Sequence, residues 1–305
     1  MAKPFRFGVI ADTNDTDRDR LTELAHKAAD VGFDIVLATD HFTQLAPLQV
    51  LQTVAEVSPL RIGTLVLNND MRHPVVLAHE LAALDQLSGG RLEIGLGAGW
   101  SKWEYDDVAM SFDRPGQRVD RLAASIDIVK QALSTGEVQQ SNGPFGDIRM
   151  RGAPQSTQRP HPPILVGGGG RRLLSLAARE AQIVAIDPRA LPEGGQRTGE
   201  AAPSVIDEKI GYIRENAGER IDHLEISLIV FELDPTYRGH GRANVNSPHL
   251  SDEEIADSPY YLLGDVESMV DAALARRERW GISYYVVNEW NLDAIAPLVK
   301  RLAGQ

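Results

Sequence analysis

Short apolar segments alternate with amphipathic helical segments along almost the whole chain. The predicted strands are FRFGVIAD, FDIVLATD, RIGTLVLN, RLEIGLG, PPILVGG, QIVAIDP, LEISLIVFEL and SYYVVN. Between them, apolar residues recur at spacings of three and four, as in Leu122, Ile126, Val129 and Leu133, which is typical of a helix with one buried face. Repeated strand–helix units of this kind predict a parallel sheet covered by helices.

Eight such units in 305 residues match the size and order of a (β/α)8 barrel, or TIM barrel. We predict this α/β fold, as a single domain, for residues 1–305. A doubly wound sheet is the alternative, but it would carry a glycine fingerprint after the first strand, where VIADTND has none. Thr16 is predicted to cap the first helix and Pro74 to begin the third. Three insertions, at about 136–162, 188–203 and 235–265, are expected on loops that could cover the active-site face.

Composition narrows the class of protein. The 43% hydrophobic and 24% charged residues are ordinary for a globular domain. The net charge of −12 repels nucleic-acid backbones and anionic membranes, so neither is an expected partner. The chain shows no membrane-length apolar run and no signal-peptide pattern, which favours a cytoplasmic protein. Cysteine is absent, which excludes disulfides and thiolate ligands, and no spacing indicates a metal site.

In a TIM barrel, functional groups gather where the strands end, so the residues after each strand are the candidates. They are Asp12; Asp40 and His41; Asn68 and Asn69; Gly97, Gly99 and Trp100; Gly167 to Gly170; Asp187; and Asn288.

The fifth strand ends in a glycine turn, ILVGGGGRRLLSLAARE. Backbone N–H groups, the positive end of a helix dipole and the guanidinium groups of Arg171 and Arg172 are expected to converge there, which predicts a phosphate site. A tight turn with solvated arginines is the alternative. The spacing is neither that of a Walker loop nor that of a dinucleotide fingerprint.

Two other strand ends carry candidate chemistry. In GLGAGW, Gly95, Gly97 and Gly99 alternate, so a planar ring could lie against a face without side chains; a glycine bulge at the barrel rim is the alternative. In TDHF, His41 could exchange a proton near neutral pH, and Asp40 could orient the backbone or the imidazole. A rim histidine with only structural partners is the alternative for His41.

Together, TDHF, RIGTLVLNNDMRHPVVLAHELAALDQLSGGRLEIGLGAGWSKWEY and PPILVGGGGRRLLSLAARE resemble the bacterial-luciferase-like superfamily of flavin and deazaflavin enzymes, and most of all its F420-dependent oxidoreductases. The resemblance implies a ring system across the barrel mouth, with its phosphate at the glycine turn and a non-prolyl cis peptide at Leu65-Val66 behind the ring. It implies hydride transfer between coenzyme F420 and a small-molecule substrate, with His41 at the reaction centre, and a homodimer. An FMN-dependent monooxygenase is the alternative, and a non-catalytic cofactor-binding barrel is a third hypothesis.

The strand ends and the resemblance together give a set of predicted site residues. His41 is the predicted catalytic residue. The predicted cofactor-binding residues are Asp40, His41, Leu65, Val66, Asn68, Gly97, Ala98, Gly99, Val166, Gly167, Gly168, Gly169, Gly170 and Arg171. Deazaflavin dehydrogenases of the family carry a tryptophan shortly after the histidine and a glutamate after the strand-four glycines. This chain has HFTQLAP and Trp100 instead, which argues against sugar-phosphate or simple alcohol dehydrogenation by the same groups.

Overall fold

The computed structural model of the protein describes residues 3–189, 191, 199–237, 247 and 249–305. In chain order its strands are β1 (Arg6–Ile10), β2 (Ile35–Ala38), β3 (Arg61–Thr64), β4 (Leu67–Asn68), β5 (Leu92–Gly97), β6 (Val138–Gly143), β7 (Gly146–Met150), β8 (Ile164–Gly168), β9 (Ile183–Ile186), β10 (Glu225–Ile229), β11 (Glu232–Asp234), β12 (Tyr261–Leu263) and β13 (Ile282–Asn288). The helices are α1 (Arg18–Val31), α2 (Pro47–Val57), α3 (Pro74–Leu87), α4 (Lys102–Asp107), α5 (Pro115–Thr135), α6 (Arg171–Glu180), α7 (Pro203–Ala217), α8 (Asp252–Asp257), α9 (Val266–Trp280) and α10 (Leu292–Leu302).

Parallel strands close into an eight-stranded barrel. They are joined in the order β3-β2-β1-β13-β10-β9-β8-β5, and β3 also pairs with β5 to complete the ring. The short strand β4 continues the position of β3 and pairs with the end of β5. The predicted (β/α)8 barrel is therefore confirmed, and the doubly wound sheet is excluded because the sheet has no open edge at β3 and β5.

The helices cover the barrel through their predicted apolar faces. On α5, the side chains of Leu122, Ile126 and Val129 are fully buried. Pro74 is the first residue of α3, as predicted. The prediction that Thr16 caps the first helix is wrong: Asp17 is the cap and accepts a hydrogen bond from the Arg20 backbone N–H. None of the helices in the described ranges is both long and apolar enough to cross a membrane.

The barrel interior differs between its two ends. Near the amino ends of the strands, partly buried ion pairs join Arg6 to Glu225, with a 2.7 Å N···O distance, and Arg61 to Glu93, also at 2.7 Å. Toward the carboxyl ends the interior is an apolar cluster, which comprises Ile10, Ile35, Leu37, Leu65, Leu165, Ile183, Ala185, Tyr284 and Val286, with Val66 and Ile229 packed against it. The carboxyl face thus has an apolar floor.

The insertion at 136–162 lies along the outside of the barrel, and its hairpin tip reaches the carboxyl-terminal side, where the ring of Phe145 is 5.7 Å from that of His73, the N-cap of α3. It forms the antiparallel hairpin of β6 and β7 and then returns along the amino ends of the strands. There the Thr157 N–H donates to Asp85, and Gln158 Nε2 donates to the carbonyl of Leu92, the first residue of β5. Only parts of the insertions at 188–203 and 235–265 fall within the described residues, since 190, 192–198, 238–246 and 248 lie outside them.

Candidate active site

β3 and β4 follow each other along the same side of β5, and a bulge at residues 65 and 66 separates them. The peptide bond between Leu65 and Val66 is cis, as the family resemblance implies. On the neighbouring strand β5, a Cβ on Gly95 would lie 1.9 Å from the Thr64 carbonyl oxygen, and a Cβ on Gly97 would lie 2.6 Å from Val66 Cγ2. The alternating glycines therefore make room for the bulge. The face that was expected to be bare is occupied by Val66, so a ring at the barrel mouth would meet Val66 rather than Gly97.

Gly99 turns the chain from β5 toward α4. Its φ of +72° is in the left-handed region, and an added Cβ would lie 2.0 Å from Tyr105 Oη. This buried hydroxyl donates to Asp70 Oδ2 at 3.0 Å and lies 3.2 Å from Asn68 Oδ1. Burial raises the pKa of the Tyr105 hydroxyl. The close packing fixes the start of α4 against the end of β4.

His41 lies at the end of β2 and is held by a carboxylate from α4. Its Nδ1 is 2.9 Å from Glu104 Oε1, and the Phe42 backbone N–H approaches the same oxygen at 3.4 Å. The side chain of Glu104 is only 5% exposed, whereas that of His41 is 29% exposed. Trp100 presents its ring edge-on to the imidazole, with the centroids 6.0 Å apart. Glu104 thus fixes the orientation of the imidazole through Nδ1, while part of the ring stays accessible to solvent.

Sequence reasoning missed Glu104. It took the glutamate that follows the strand-four glycines in related dehydrogenases as absent, because Trp100 stands directly after Gly99. The structure places Glu104, four residues farther along, against His41. The available signal was the segment KWEY, which ends one of the motifs that carry the family resemblance and contains Glu104. In the structure, Glu104 and Tyr105 of this segment are buried, while the neighbouring Trp103 is 40% exposed. A carboxylate therefore does lie beside His41, four residues beyond the position at which sequence reasoning looked for it.

Asp40 connects two strand ends and does not contact the imidazole. Its Oδ2 accepts a hydrogen bond from the Asn68 backbone N–H at 2.9 Å. The guanidinium of Arg72 binds both carboxylate oxygens, at 2.5 and 2.9 Å. Of the two roles predicted for Asp40, orientation of the backbone is the one found, and Glu104 takes the other.

The glycine turn after β8 has little room for side chains. A Cβ on Gly168 would lie 2.3 Å from Leu173 Cδ2, and a Cβ on Gly169 would lie 2.3 Å from the carbonyl oxygen of Asp187. Gly170 differs, because nothing lies within 4 Å of an added Cβ there. Gly170 is the N-cap of α6, and no side chain caps the helix. The start of α6 therefore has no side-chain cap and has room beside Gly170, as a phosphate site requires.

The two arginines of the turn do not converge on it, contrary to expectation. Arg171 lies over the ring of Tyr212, 5.0 Å from its centroid, and its Nη2 is 3.6 Å from Glu215. Arg172 pairs with Asp120 on α5 and donates to a carbonyl at the start of that helix. Both guanidinium groups are more than half exposed and are held by neighbouring helices. The turn itself therefore offers backbone donors rather than free cations.

The remaining predicted residues divide between the two sides of the barrel wall. Leu65 belongs to the apolar cluster inside the barrel, and Val66 packs against it. A Cβ on Gly167 would lie 3.4 Å from Val66 Cγ1 and 3.6 Å from Ala185 Cβ, so these three residues are contiguous. Val166 and Ala98 instead belong to the core between strands and helices. Their side chains are not at the mouth, because alternate residues of a strand face opposite sides.

A cleft of about 240 Å³ lies beside the His41–Glu104 pair. It is lined by Asp40, Phe42, Asn68, Met71, Arg72, Glu104, Val108 and Met110. Phe42 is 55% exposed, and Trp100, Val108 and Met110 are each about 40% exposed. Apolar groups of this size at the rim of a polar site are typical of a small-molecule binding site.

Comparison with known proteins identifies relatives among reductases and dehydrogenases. The chain is 30% identical over 237 residues to the F420-dependent glucose-6-phosphate dehydrogenase of Nakamurella multipartita, covering 73% of this chain and 66% of that protein. It is 27% identical over 152 residues to the 5,10-methylenetetrahydromethanopterin reductase of Archaeoglobus fulgidus, covering 50% of this chain and 44% of that protein. The matches thus span about half to two thirds of the length of these relatives.

Solved structures share the fold at low sequence identity. The coenzyme F420 dependent tetrahydromethanopterin reductase of Methanopyrus kandleri superposes with a TM-score of 0.78 at 18% identity, over 98% of this chain and all of that one. An F420-dependent secondary alcohol dehydrogenase in complex with an F420-acetone adduct superposes with a TM-score of 0.76 at 17% identity, over 98% of this chain and 99% of that one. The family model described as luciferase-like monooxygenase matches residues 2–205. The chain therefore belongs to the luciferase-like monooxygenase family of oxidoreductases.

Proposed function

We propose that this protein is an F420-dependent oxidoreductase, which moves a hydride between C5 of the deazaflavin and a small organic substrate. The observation that carries the proposal is the His41–Glu104 pair at the carboxyl end of the barrel, with its 2.9 Å contact. Support for the cofactor comes from similar proteins, because one relative and two structural neighbours are named as F420-dependent.

The residues at the barrel mouth fit a flat ring with a phosphate-bearing tail. Val66 and Ala185 form an apolar surface next to Gly167, against which a ring can lie. The uncapped start of α6 at Gly170 has open space and oriented N–H groups for the phosphate. When bound, the deazaflavin would supply a ring carbon that accepts or donates a hydride.

His41 is the group that would exchange the substrate's proton. The carboxylate of Glu104 accepts a hydrogen bond from Nδ1–H, which favours the tautomer whose Nε2 is free. Nε2 can then take a proton from a substrate hydroxyl or, when protonated, give one to a carbonyl oxygen. The side chain of Glu104 is only 5% exposed, so its carboxylate is held beside Nδ1 and away from bulk water. Phe42, Val108 and Met110 can hold an apolar part of the substrate beside this pair.

The proposal is tested by titrating the protein separately with F420 and with FMN, followed by absorbance and fluorescence. We expect binding of F420. Tight binding of FMN without affinity for F420 would overturn the proposal and favour an FMN-dependent monooxygenase of the same family.

Catalysis is tested with reduced F420 and a broad panel of carbonyl compounds. His41→Ala is expected to lower turnover by about a hundredfold or more while F420 binding is kept. His223→Ala is the matched control, because this exposed histidine precedes β10 at the opposite end of the barrel. Unchanged turnover in His41→Ala would remove His41 from the mechanism, and F420 binding without turnover of any compound would favour a non-catalytic barrel.

A further inference from the structure

Asp187 follows β9 at the carboxyl end of the barrel and has no place in the chemistry described so far. Its backbone N–H donates to the Gly168 carbonyl at 3.1 Å, so the pairing of β9 with β8 continues through this residue. Ile183 and Ala185 of β9 belong to the cluster inside the barrel, whereas Val184 and Ile186 belong to the outer core. Asp187 directly follows Ile186, the last residue of β9, and the continued alternation predicts its side chain on the same inner face as Ala185.

One oxygen of the Asp187 carboxyl group is buried and lacks a partner. Oδ1 is closed to solvent and has no hydrogen bond within the described part of the chain. Buried polar atoms are nearly always paired, so an orphan at a strand end in a barrel mouth indicates a ligand or water that completes it. Burial raises the pKa of this carboxyl to about 6.

The charged side chains near Asp187 form ion pairs with each other and do not bind its Oδ1. Lys209 on α7 donates to the backbone carbonyl of Asp187 at 2.8 Å and pairs with Glu200, also at 2.8 Å. Glu200 in turn binds Arg189 at 2.5 Å. The positive charge of Lys209 lowers the pKa of the Asp187 carboxyl, but less than burial raises it. These contacts hold the backbone at Asp187 and leave its carboxyl group unpaired on Oδ1.

A second unpaired polar atom lies in the same region. The hydroxyl of Tyr260 is fully buried and has no partner among the residues described. Burial raises the pKa of this hydroxyl most, and the charges of Asp187 and Glu200 raise it further, so both carboxyl groups are within electrostatic reach of the hydroxyl. Arg171 and Arg172, which follow the glycine turn, are both held by other helices.

We propose that Asp187 is a further cofactor-binding residue, whose carboxylate accepts a hydrogen bond from a ring N–H of a heterocycle seated on Val66 and Ala185. This inference rests on the proposed function, since it concerns the same barrel mouth. Deazaflavin and flavin rings both carry an N–H between two carbonyl groups on their polar edge, which is the donor that a carboxylate at this position would select. Ala185 is contiguous with Val66 through Gly167. Asp187 stands two residues after Ala185, directly beyond the end of β9, so the alternation predicts that its carboxyl group borders this surface.

The test measures the dissociation constant of F420, and separately of FMN, between about pH 5 and about pH 8. The acceptor is lost when Asp187 is protonated, so wild-type affinity is expected to fall by about tenfold from neutral pH to pH 5. Asp187→Asn should remove this pH dependence, leaving only the titration of the ligand itself. Asp187→Leu should weaken binding about tenfold or more at neutral pH. Asp34→Asn is the matched control, because Asp34 is a partly buried acid whose carboxylate binds the Phe7 backbone N–H at the amino end.

The outcomes separate the two proposals. Binding of F420 with the same pH profile in wild type and Asp187→Asn would overturn the role of Asp187 and leave the proposed function intact. Failure of wild type to bind either compound would overturn both. A loss of affinity in Asp34→Asn equal to that in Asp187→Leu would show a general structural effect and would also refute the inference.

Discussion

The buried carboxyl of Asp187 has a consequence for folding that does not depend on any ligand. Its pKa is about 6 in the folded protein, against 3.8 for an ordinary aspartate, because burial disfavours the charged form. The difference is about 2 pKa units, and each unit corresponds to about 1.4 kcal/mol, so ionised Asp187 costs the folded state about 3 kcal/mol.

The sign of the pH dependence follows from the raised pKa. Below about pH 4 the carboxyl is protonated in both the folded and the unfolded chain, so it does not lower the free energy of unfolding. Between about pH 4 and about pH 6 the unfolded chain ionises first, so the free energy of unfolding falls as pH rises. Above about pH 6 the full penalty is present. Asp187→Asn, which cannot ionise, should therefore gain about 3 kcal/mol relative to wild type between pH 4 and pH 7.

Urea unfolding of ligand-free wild type and Asp187→Asn, at a series of pH values, measures this difference. Any effect of the amide itself changes the free energy of unfolding of the variant by the same amount at every pH. The part of the difference between variant and wild type that changes with pH therefore reports the ionisation of Asp187. Parallel curves across the whole range would refute the reasoning. They would mean that the carboxyl reaches water or a partner in solution.

Four further changes test the site. Glu104→Gln should lower turnover by about tenfold or more with F420 affinity unchanged, because His41 loses the charged acceptor that fixes its tautomer; equal kcat would contradict this. Gly170→Asp should keep stability, since aspartate suits an N-cap, yet weaken F420 binding about tenfold or more, whereas the neutral cap Gly170→Asn should weaken it less. Gly95→Ala should destabilise the protein by about 3 kcal/mol or more in urea unfolding, because of the clash described above. Arg172→Ala should change F420 affinity by less than about threefold, and less still at high salt; a larger loss would restore the arginine to the phosphate site.

The barrel could be predicted from the chain because strands buried on both faces consist of short apolar runs. Ile35–Ala38 and Ile183–Ile186 are buried throughout, and each is followed by a helix with one apolar face. The cap of α1 could not be predicted in this way, since Thr16 and Asp17 are adjacent and both residue types can cap a helix. Which of them does so depends on the first helical residue, and tertiary packing decides that.

The partners in the candidate site could not be predicted in the same way, because they are set by tertiary contacts. Glu104 is 63 residues from His41, and barrel closure brings them together across the end of β4. The pattern of apolar residues along the sequence predicts where each strand ends, but it does not predict the direction of the side chains that follow the strand. For the same reason, Arg171 and Arg172 follow the glycine turn in sequence, whereas their guanidinium groups bind neighbouring helices.

Gly95 and Gly97 of β5 show how much can be inferred from the absence of a side chain in the sequence. Their sequence correctly indicates an empty face on the strand, but it does not indicate what fills the space. The bulge at Leu65-Val66 fills it, and each glycine removes a clash that would push the bulge away from β5. Val66 therefore reaches the barrel mouth only because Gly97 has no side chain. The glycines act on a bound ring through the neighbouring strand, so a substitution on β5 would change the ring-binding surface without contacting the ring.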